Sequence, residues 1–264
     1  MLEKPAGSAA ANSLTHRIAR YLSESLRAVA FTGAGISTES GIPDFRSPGG
    51  IWSRYQPVLF QDFLASEKAR REYWLMKKEG YRELRGAKPN AGHRALASLE
   101  AAGKLRAIIT QNIDGLHQDA GSRRVLELHG TSRYCICLEC SARYEPELIQ
   151  DRLEAGVEVP RCDSCGGLLK SATISFGQAL PVDVLSEAID LCIKTDLILA
   201  IGSSLVVEPA ASLPLQAKQN GARLVIINKT ETPLDDLADL VLRDPIGASL
   251  TQVVQHLGLG LPDS

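Results

Sequence analysis

The sequence predicts an α/β protein with a Rossmann-like, doubly wound parallel sheet and a smaller zinc-binding and helical domain. Continuous apolar runs recur along the chain, which is typical of strands that are buried on both faces. Each run ends in Gly, Ser, Asn or Gln, and a doubly wound sheet binds its ligand at these carboxyl ends of its strands. Five of the six cysteines lie within residues 131–171 and indicate a separate module.

Length and composition indicate a globular protein. The chain has 264 residues, of which 44% are hydrophobic and 23% charged, close to the averages for soluble domains. Its net charge of −2 argues against a general nucleic-acid or membrane-surface binder, since both need a basic excess. No apolar run is long enough for a membrane span. Residues 1–12 carry no apolar signal segment and are expected to be flexible, so we expect a cytoplasmic protein.

Predicted strands and helices alternate along the chain, as a parallel sheet requires. The strands are predicted over residues 28–31, 105–110, 197–201 and 224–227. The helices are predicted over residues 13–24, 91–103, 182–194 and 209–220. Two segments interrupt this order. Residues 48–88 are rich in aromatic and charged side chains and predict a helical insertion, and residues 131–171 form the cysteine module.

Two Cys-x2-Cys pairs predict a structural zinc site. Cys137 and Cys140 form the first pair, and Cys162 and Cys165 form the second. Each pair can bring two thiolates to one Zn²⁺, and two pairs complete a closed tetrahedral site. Such a metal stabilises the module and leaves no position for substrate. The alternative is four buried thiols without a metal. The remaining two cysteines lie outside the spacing and are not expected to bind it.

A glycine loop after the first predicted strand indicates a nucleotide-phosphate site. Gly33 and Gly35 would let the backbone approach a pyrophosphate, next to the N-terminus of a following helix. The spacing of the third glycine departs from the usual pattern, so a tight turn without a ligand stays open. Polar residues also follow the later strands, where they could bind ribose hydroxyls and a carboxamide or cap helices: Gln111, Asn112, Asp114, Ser203, Ser204 and Asn228.

His129 is the candidate general base. It follows an apolar run and directly precedes the cysteine module, at a domain junction of the kind where clefts form. An unperturbed imidazole pKa near 6.5 suits proton transfer at neutral pH. A purely structural histidine is the alternative. The other four histidines are less well placed for such a role.

Eight motifs in sequence order resemble the sirtuins, a family of NAD-dependent protein deacylases. They extend from about residue 26 to about residue 250 and comprise Gly33-Ala34-Gly35-Ile36-Ser37, Gly41-Ile42-Pro43-Asp44-Phe45-Arg46, Thr110-Gln111-Asn112-Ile113-Asp114, Leu128-His129-Gly130, the two cysteine pairs, Phe176-Gly177, Gly202-Ser203-Ser204-Leu205 and Asn228. The resemblance implies an NAD-binding domain of residues 13–47, 89–130 and 172–256. Residues 48–88 and 131–171 would form the small domain, with the active site in the cleft between the two.

The resemblance also implies roles for individual residues. The catalytic residues would be Asn112, Asp114 and His129. NAD would be bound by Gly33, Ala34, Gly35, Thr38, Asp44, Phe45, Arg46, Gln111, Ile113, Asp114, Gly202, Ser203, Ser204, Asn228 and Ile246. An extended substrate peptide would pair strand-on-strand with Phe176, Gly177, Leu205 and Val206.

The implied reaction removes an acyl group from a protein lysine and consumes NAD. In the family's mechanism the acyl oxygen attacks C1′ of the nicotinamide ribose as nicotinamide leaves. His129 would then deprotonate a ribose hydroxyl, and the products would be free lysine and O-acetyl-ADP-ribose. Family members that prefer succinyl groups carry a Tyr-x-x-Arg motif, whereas here Met76 follows Tyr73 at that spacing. We therefore expect acetyl or other uncharged acyl groups.

The expected partners are acyl-lysine proteins or peptides, with no nucleic acid and no membrane, and the protein is expected to be a monomer. Two alternatives remain open from the sequence. The same scaffold could carry out mono-ADP-ribosyl transfer or NAD hydrolysis. The chain could also be a non-catalytic zinc-ribbon interaction protein.

Overall fold

The computed structural model describes residues 7–44, 50 and 55–262, with side chains from residue 13 onward. In chain order the strands are β1 (Val29–Thr32), β2 (Ala107–Thr110), β3 (Val125–Glu127), β4 (Gly130–Cys137), β5 (Arg143–Tyr144), β6 (Leu169–Thr173), β7 (Leu197–Ile201), β8 (Arg223–Ile227) and β9 (Leu240–Leu242). The α-helices are α1 (Gly7–Glu24), α2 (Phe60–Ala65), α3 (Glu67–Gly86), α4 (Ala91–Ala101), α5 (Leu116–Asp119), α6 (Pro146–Glu154), α7 (Val182–Lys194), α8 (Ser212–Gln219) and α9 (Ile246–His256). In the described part of the chain, 3₁₀ helices span Ala34–Ser40 and Asp235–Leu237.

Six strands form one sheet in the order β3-β2-β1-β7-β8-β9. Every neighbouring pair in this sheet runs parallel. The strand order reverses between β1 and β7, and the crevice at such a reversal is where doubly wound sheets bind their ligands. The predicted fold class is therefore confirmed, and the carboxyl ends of β1 and β7 border the expected ligand crevice.

The four predicted strands all lie in this sheet. The outer strands β3 and β9 were not predicted, and neither was α9 as a separate helix. The first helix begins at Gly7 rather than at residue 13, so the backbone of residues 7–12, which was expected to be flexible, is helical. Residues 1–6 lie outside the described part of the chain.

Two cores cover the two faces of the sheet because successive side chains of a strand point to opposite sides. Ala30 and Leu199 face a core that is completed by α1, α4 and α9. Phe31 and Ile198 face the opposite core, against α7 and α8. Fully burying one such aliphatic or aromatic side chain contributes roughly 1.5–3 kcal/mol. The sheet is thus a rigid platform for the loops at its carboxyl edge.

A second, antiparallel sheet has the strand order β5-β4-β6. Its core is shared with the helical insertion, because Phe63 and Trp74 of α2 and α3 pack in one cluster with Ile149 of α6 and Leu169 of β6. The two segments that were predicted to interrupt the α/β order are therefore in contact, while the predicted domain boundaries stay a prediction. None of the described helices has both the length and the hydropathy of a membrane span.

Candidate functional site

A cleft of about 760 Å³ lies where the carboxyl edge of the large sheet faces the small module. This volume is typical of small-molecule sites. The loops after β1, β2, β7 and β8 line one wall, and α3 and β6 line the other. Thirteen of the predicted site residues belong to the wall: Ala34, Gly35, Asp44, Gln111, Asn112, Ile113, His129, Phe176, Gly177, Gly202, Ser203, Ser204 and Asn228.

The remaining predicted site residues lie elsewhere. Those outside the wall are Gly33, Thr38, Asp114, Leu205, Val206 and Ile246. Of these, Ile246 is buried in the core of the large sheet, next to Ile36. Phe45 and Arg46 fall outside the described residues.

The glycines after β1 and β7 allow two loops to pack backbone against backbone. Gly35 donates its N–H to the Gly202 carbonyl at 2.8 Å. A Cβ atom on Gly35 would lie 2.8 Å from the Gly202 Cα, and one on Gly202 would overlap the Ile36 main-chain nitrogen. Gly202 also has a φ of +61°, a conformation that side chains rarely adopt. These glycines therefore fix the shape of the cleft wall.

Replacing Gly202 by alanine is expected to lower the free energy of unfolding by roughly 1–3 kcal/mol or more, because it adds a clash to backbone strain. Gly80→Ala is the matched control, since a Cβ there meets nothing within 4 Å and alanine in a helix stabilises by about 0.5–1 kcal/mol. Chemical denaturation of both variants measures the two effects. Equal stability of Gly202→Ala and the parent chain would contradict the prediction.

A main-chain hydrogen bond fixes the tautomer of His129, that is, which of its two ring nitrogens carries the proton. It is half-buried, and its Nδ1 lies 3.0 Å from the Gln111 carbonyl oxygen. Since a carbonyl can only accept, Nδ1 carries the proton and Nε2 keeps a free lone pair. Burial lowers the pKa of His129 below its usual value, although the bond to Gln111 opposes this effect. A neutral imidazole at neutral pH is what a general base requires.

Gln111 and Ser203 join two loops of the cleft wall. The Ser203 hydroxyl donates to the Gln111 Oε1 at 2.7 Å, while the Gln111 main chain accepts from His129. The side-chain amide of Gln111 and the hydroxyl of Ser203 are therefore both positioned at the cleft, where each can exchange this bond for one to a ligand hydroxyl.

Ser37 fixes the position of Asn112, which is buried at the bottom of the cleft. The Ser37 hydroxyl accepts from the Asn112 Nδ2 at 3.1 Å and donates to the Asp114 Oδ2 at 2.7 Å. The main-chain N–H of Leu116 donates to the other oxygen of Asp114 at 2.9 Å. Burial raises the pKa of Asp114, and the bond from Ser37 opposes this rise. No role was predicted for Ser37, although it lies inside the first of the sirtuin-like motifs.

Two buried histidines, His93 and His117, contact the same network of hydrogen bonds. His117 Nε2 lies 2.9 Å from the Thr32 hydroxyl, which donates to the Thr110 hydroxyl at 2.8 Å. The Thr110 hydroxyl in turn accepts from the Asn112 N–H at 3.0 Å. Burial lowers the pKa of His93 to about 4 and that of His117 well below its usual value. Both imidazoles are therefore neutral at neutral pH.

Exposed apolar side chains flank the cleft on both sides. Phe176 is 42% exposed and Val206 is 49% exposed, whereas Leu205 between Ser204 and Val206 is 5% exposed. The Phe176 carbonyl accepts from the Phe60 N–H at 2.9 Å and so links this rim to α2. Phe176 thus follows β6 and lines the cleft, whereas Val206 follows β7 and lies next to the lining residue Val207.

The four predicted zinc ligands lie close together. Their Sγ atoms are all within 4.8 Å of one another, and the Cys137–Cys165 and Cys140–Cys162 sulfurs are each 3.5 Å apart. Tetrahedral zinc with Zn–S bonds of about 2.3 Å places sulfurs about 3.8 Å apart. The donor set therefore fits a structural zinc. Of the other two cysteines, Cys192 is buried in a core and Cys135 lies in the cleft wall.

The fold and the site define an α/β protein with a doubly wound sheet, a four-cysteine module and a cleft between them. The model of the Sir2 family matches residues 33–209. The chain is 48% identical over 233 residues to an NAD-dependent protein deacetylase of Thermodesulfovibrio yellowstonii, which covers 88% of this chain and 91% of that protein. It is 51% identical over 224 residues to an NAD-dependent protein deacetylase of Rhodopseudomonas palustris, which covers 84% of this chain and 88% of that protein.

A comparison with solved structures leads to the same family. A complex of a Sir2 variant with deacetylated p53 peptide and 3′-O-acetyl-ADP-ribose superposes with a TM-score of 0.88 at 43% identity, covering 92% of this chain and 98% of that chain. The chain therefore belongs to the Sir2 family, the sirtuins. The resemblance that the motifs indicated is confirmed.

Proposed function

We propose that the protein removes acetyl or other uncharged acyl groups from lysine side chains of proteins and peptides, with consumption of NAD. The products are nicotinamide, free lysine and O-acetyl-ADP-ribose. The observation that carries the proposal is His129, whose Nε2 is the unprotonated ring nitrogen and which lines the same cleft as Asn112. The deacetylase names of two relatives that cover most of the chain support it.

The polar groups of the cleft fit a dinucleotide. Ribose hydroxyls and a carboxamide need amides, hydroxyls and main-chain groups, and the ends of four parallel strands supply these. We assign NAD binding to the residues that the sequence predicted, of which Phe45 and Arg46 lie outside the described part of the chain. The Gln111–Ser203 pair and Asn228 carry the ribose and phosphate contacts in this assignment.

The protein's own groups orient the reactants and move one proton. Bound NAD supplies the ribose carbon at which the acyl oxygen displaces nicotinamide. Asn112, held by Ser37, orients the ribose, and His129 takes the proton from a ribose hydroxyl through Nε2. An acyl-lysine amide reacts slowly with water, so proximity and the exclusion of competing water contribute much of the acceleration.

The substrate peptide binds at the rim of the cleft. In this proposal its extended backbone pairs with Phe176 and Gly177 on one side and with Leu205 and Val206 on the other. Main-chain pairing gives affinity with little side-chain selectivity. The four cysteines hold a structural zinc that takes part in no chemical step, because all four positions are filled by protein.

We further propose a cytoplasmic monomer that has no nucleic-acid or membrane partner. Cysteines arranged as a metal site rather than as disulfides support a reducing compartment, and the net charge of −2 argues against nucleic acid as a partner.

The decisive test is mass spectrometry of an acetyl-lysine peptide incubated with the protein, with and without NAD. We expect loss of the acetyl group only with NAD, together with O-acetyl-ADP-ribose. Release of nicotinamide from NAD while the peptide stays acetylated would instead favour ADP-ribosyl transfer or NAD hydrolysis. A zinc-loaded, folded sample that leaves both reactants unchanged would contradict the assignment as an enzyme.

A further inference from the structure

The Ser37 hydroxyl beneath the cleft has a third partner that the proposed mechanism does not use. It donates to the Asp114 Oδ2 at 2.7 Å and accepts from the Asn112 Nδ2 at 3.1 Å. A hydroxyl has one donor and two acceptor positions, so one acceptor position remains. The Nε2 atom of His93 lies 3.4 Å from this oxygen, and both residues are buried. His93 therefore fills the last position of a hydroxyl that is shielded from water.

The start of α4 fixes the tautomer of His93. The main-chain N–H of Asn90 donates to the His93 Nδ1 at 3.3 Å, and the side chain of Asn90 accepts from the His93 N–H at 3.3 Å. Together these bonds form a capping box at the helix N-terminus. Burial lowers the pKa of His93 to about 4, so the imidazole is neutral at neutral pH and carries one proton. Because Nδ1 accepts, that proton is on Nε2, and His93 can only donate to Ser37.

The direction of the Ser37 hydroxyl follows from this tautomer. If Nε2 had no proton, Ser37 could donate to His93 and leave Asp114 without its bond. Since His93 and the Asn112 Nδ2 both donate, Asp114 is the one acceptor among the three partners of Ser37. A hydroxyl that accepts hydrogen bonds is also polarised into a stronger donor. His93 thus favours the ionised form of Asp114 and a single orientation of Asn112.

Contacts that do not involve Ser37 hold the His93 ring in this place. The Asn90 Nδ2 donates to the Ile36 carbonyl at 2.7 Å, so the start of α4 is joined to the 3₁₀ helix that carries Ser37. The His117 ring packs edge-on against the His93 ring, with 4.9 Å between the ring centres. The imidazole therefore cannot turn away from Ser37 without losing these contacts.

We propose that His93 is a positioning residue for NAD, which holds the Ser37 hydroxyl, and through it Asn112, in the orientation that the nicotinamide ribose requires. The inference rests on the proposed function, in which Asn112 orients this ribose. Asn112 belongs to the cleft wall, whereas His93 does not, so His93 acts through Ser37. Asn112 is needed when nicotinamide leaves, before His129 takes a proton, and the first step of the reaction therefore depends on His93.

The first test compares His93→Met with His93→Gln, two unbranched side chains of similar size. Glutamine can accept from the Asn90 N–H, as it does in capping boxes, and can donate to Ser37, whereas methionine can do neither. We expect His93→Met to lower kcat/KM for NAD about threefold to tenfold, as loss of one neutral hydrogen bond does. Nicotinamide release and acetyl loss should fall by the same factor. His93→Gln should retain the parent value.

The variant Ser37→Ala separates positioning from helix capping. His93→Met also leaves the Asn90 N–H without its acceptor, a loss that lowers stability whether or not Ser37 is present. If His93 acts through Ser37, its replacement should lower kcat/KM in the parent protein but not in Ser37→Ala, because coupled effects are not additive. Thermal unfolding of each variant measures the capping effect separately. His16→Met, which replaces a histidine of α1 that packs on His256, is the matched control and should keep the parent kcat/KM.

The second test needs no NAD. Carbon-13 NMR measures the pKa of Asp114 in the parent protein, in His93→Met, in Ser37→Ala and in the double variant. We expect His93→Met to raise this pKa by about 0.5–1, which corresponds to the same threefold to tenfold loss. In the Ser37→Ala protein it should have no effect. The charged neighbours of Asp114 are the same in every variant, namely Asp119, Glu127 and Arg133.

The outcomes separate this inference from the proposed function. An effect of His93→Met on kcat/KM that is equally large in Ser37→Ala would overturn the inference and leave the proposed function in place. A parent protein that removes no acetyl group with NAD would overturn the proposed function, and the titration of Asp114 then decides whether His93 acts through Ser37. An unchanged pKa of Asp114 in His93→Met, or a nitrogen-15 NMR spectrum with the His93 proton on Nδ1, would overturn the inference.

Discussion

Replacing His129 by alanine is expected to lower the rate of NAD-dependent deacetylation by about 10²- to 10⁴-fold, the range that a positioned general base contributes. The reason is that no other group in the assigned mechanism takes the proton from the ribose hydroxyl. Nicotinamide release precedes that step, so part of it should remain. Parallel assays of acetyl loss and nicotinamide release on the same sample measure the two effects.

The pH profile and a second histidine variant provide the controls. Because the lowered pKa of His129 sets when its imidazole is neutral, the deacetylation rate should rise with pH through a value below 6.5 and be level at neutral pH. His16→Ala removes a histidine of α1, whose ring packs on His256 away from the cleft, and should keep the parent rate. A His129→Ala variant with the parent rate and profile would contradict the assignment.

Replacing Cys137 or Cys162 by serine is expected to abolish zinc binding and to unfold the small module. Structural zinc contributes about 10–16 kcal/mol of apparent binding free energy in zinc-finger peptides, which is as large as the total stability of a typical domain, about 5–15 kcal/mol. Residues of β6 line the cleft, so deacetylation should be lost as well. Metal analysis by mass spectrometry and hydrogen exchange of β4 and β6 measure the loss directly.

Cys192→Ala is the matched control for these variants. Cys192 is buried in the core between the large sheet and α7, distant from the four clustered sulfurs. Its loss should reduce stability modestly while one zinc per chain is retained. A folded Cys137→Ser protein that still holds one equivalent of zinc would show that the four cysteines are not the site.

The large sheet could be predicted because its inner strands are continuous apolar runs of four or five residues. Strand β7, Leu197–Ile201, is buried at every position and was predicted with its observed bounds. Strands β3 and β9 have three residues each, too few to show a period. Their pairing with β2 and β8 depends on tertiary contacts that no local pattern records.

The candidate site could be predicted where each residue lies in a contiguous motif. Asn112 and His129 belong to such motifs and also line the cleft. The role of Ser37 could not be predicted, because it depends on Asn112 and Asp114 being folded onto a hydroxyl some 75 residues earlier in the chain.

The short outer strands β3 and β9 limit the association of one copy of the protein with another. A sheet edge is a template on which another chain can add a strand, and short edges offer few unpaired N–H and C=O groups for this. Behind β9 lies β8, whose last four residues are all buried aliphatics. The three residues of β9 thus cover an apolar strand that would otherwise form the edge of the sheet. A chain that lost them would expose this strand and be prone to aggregate.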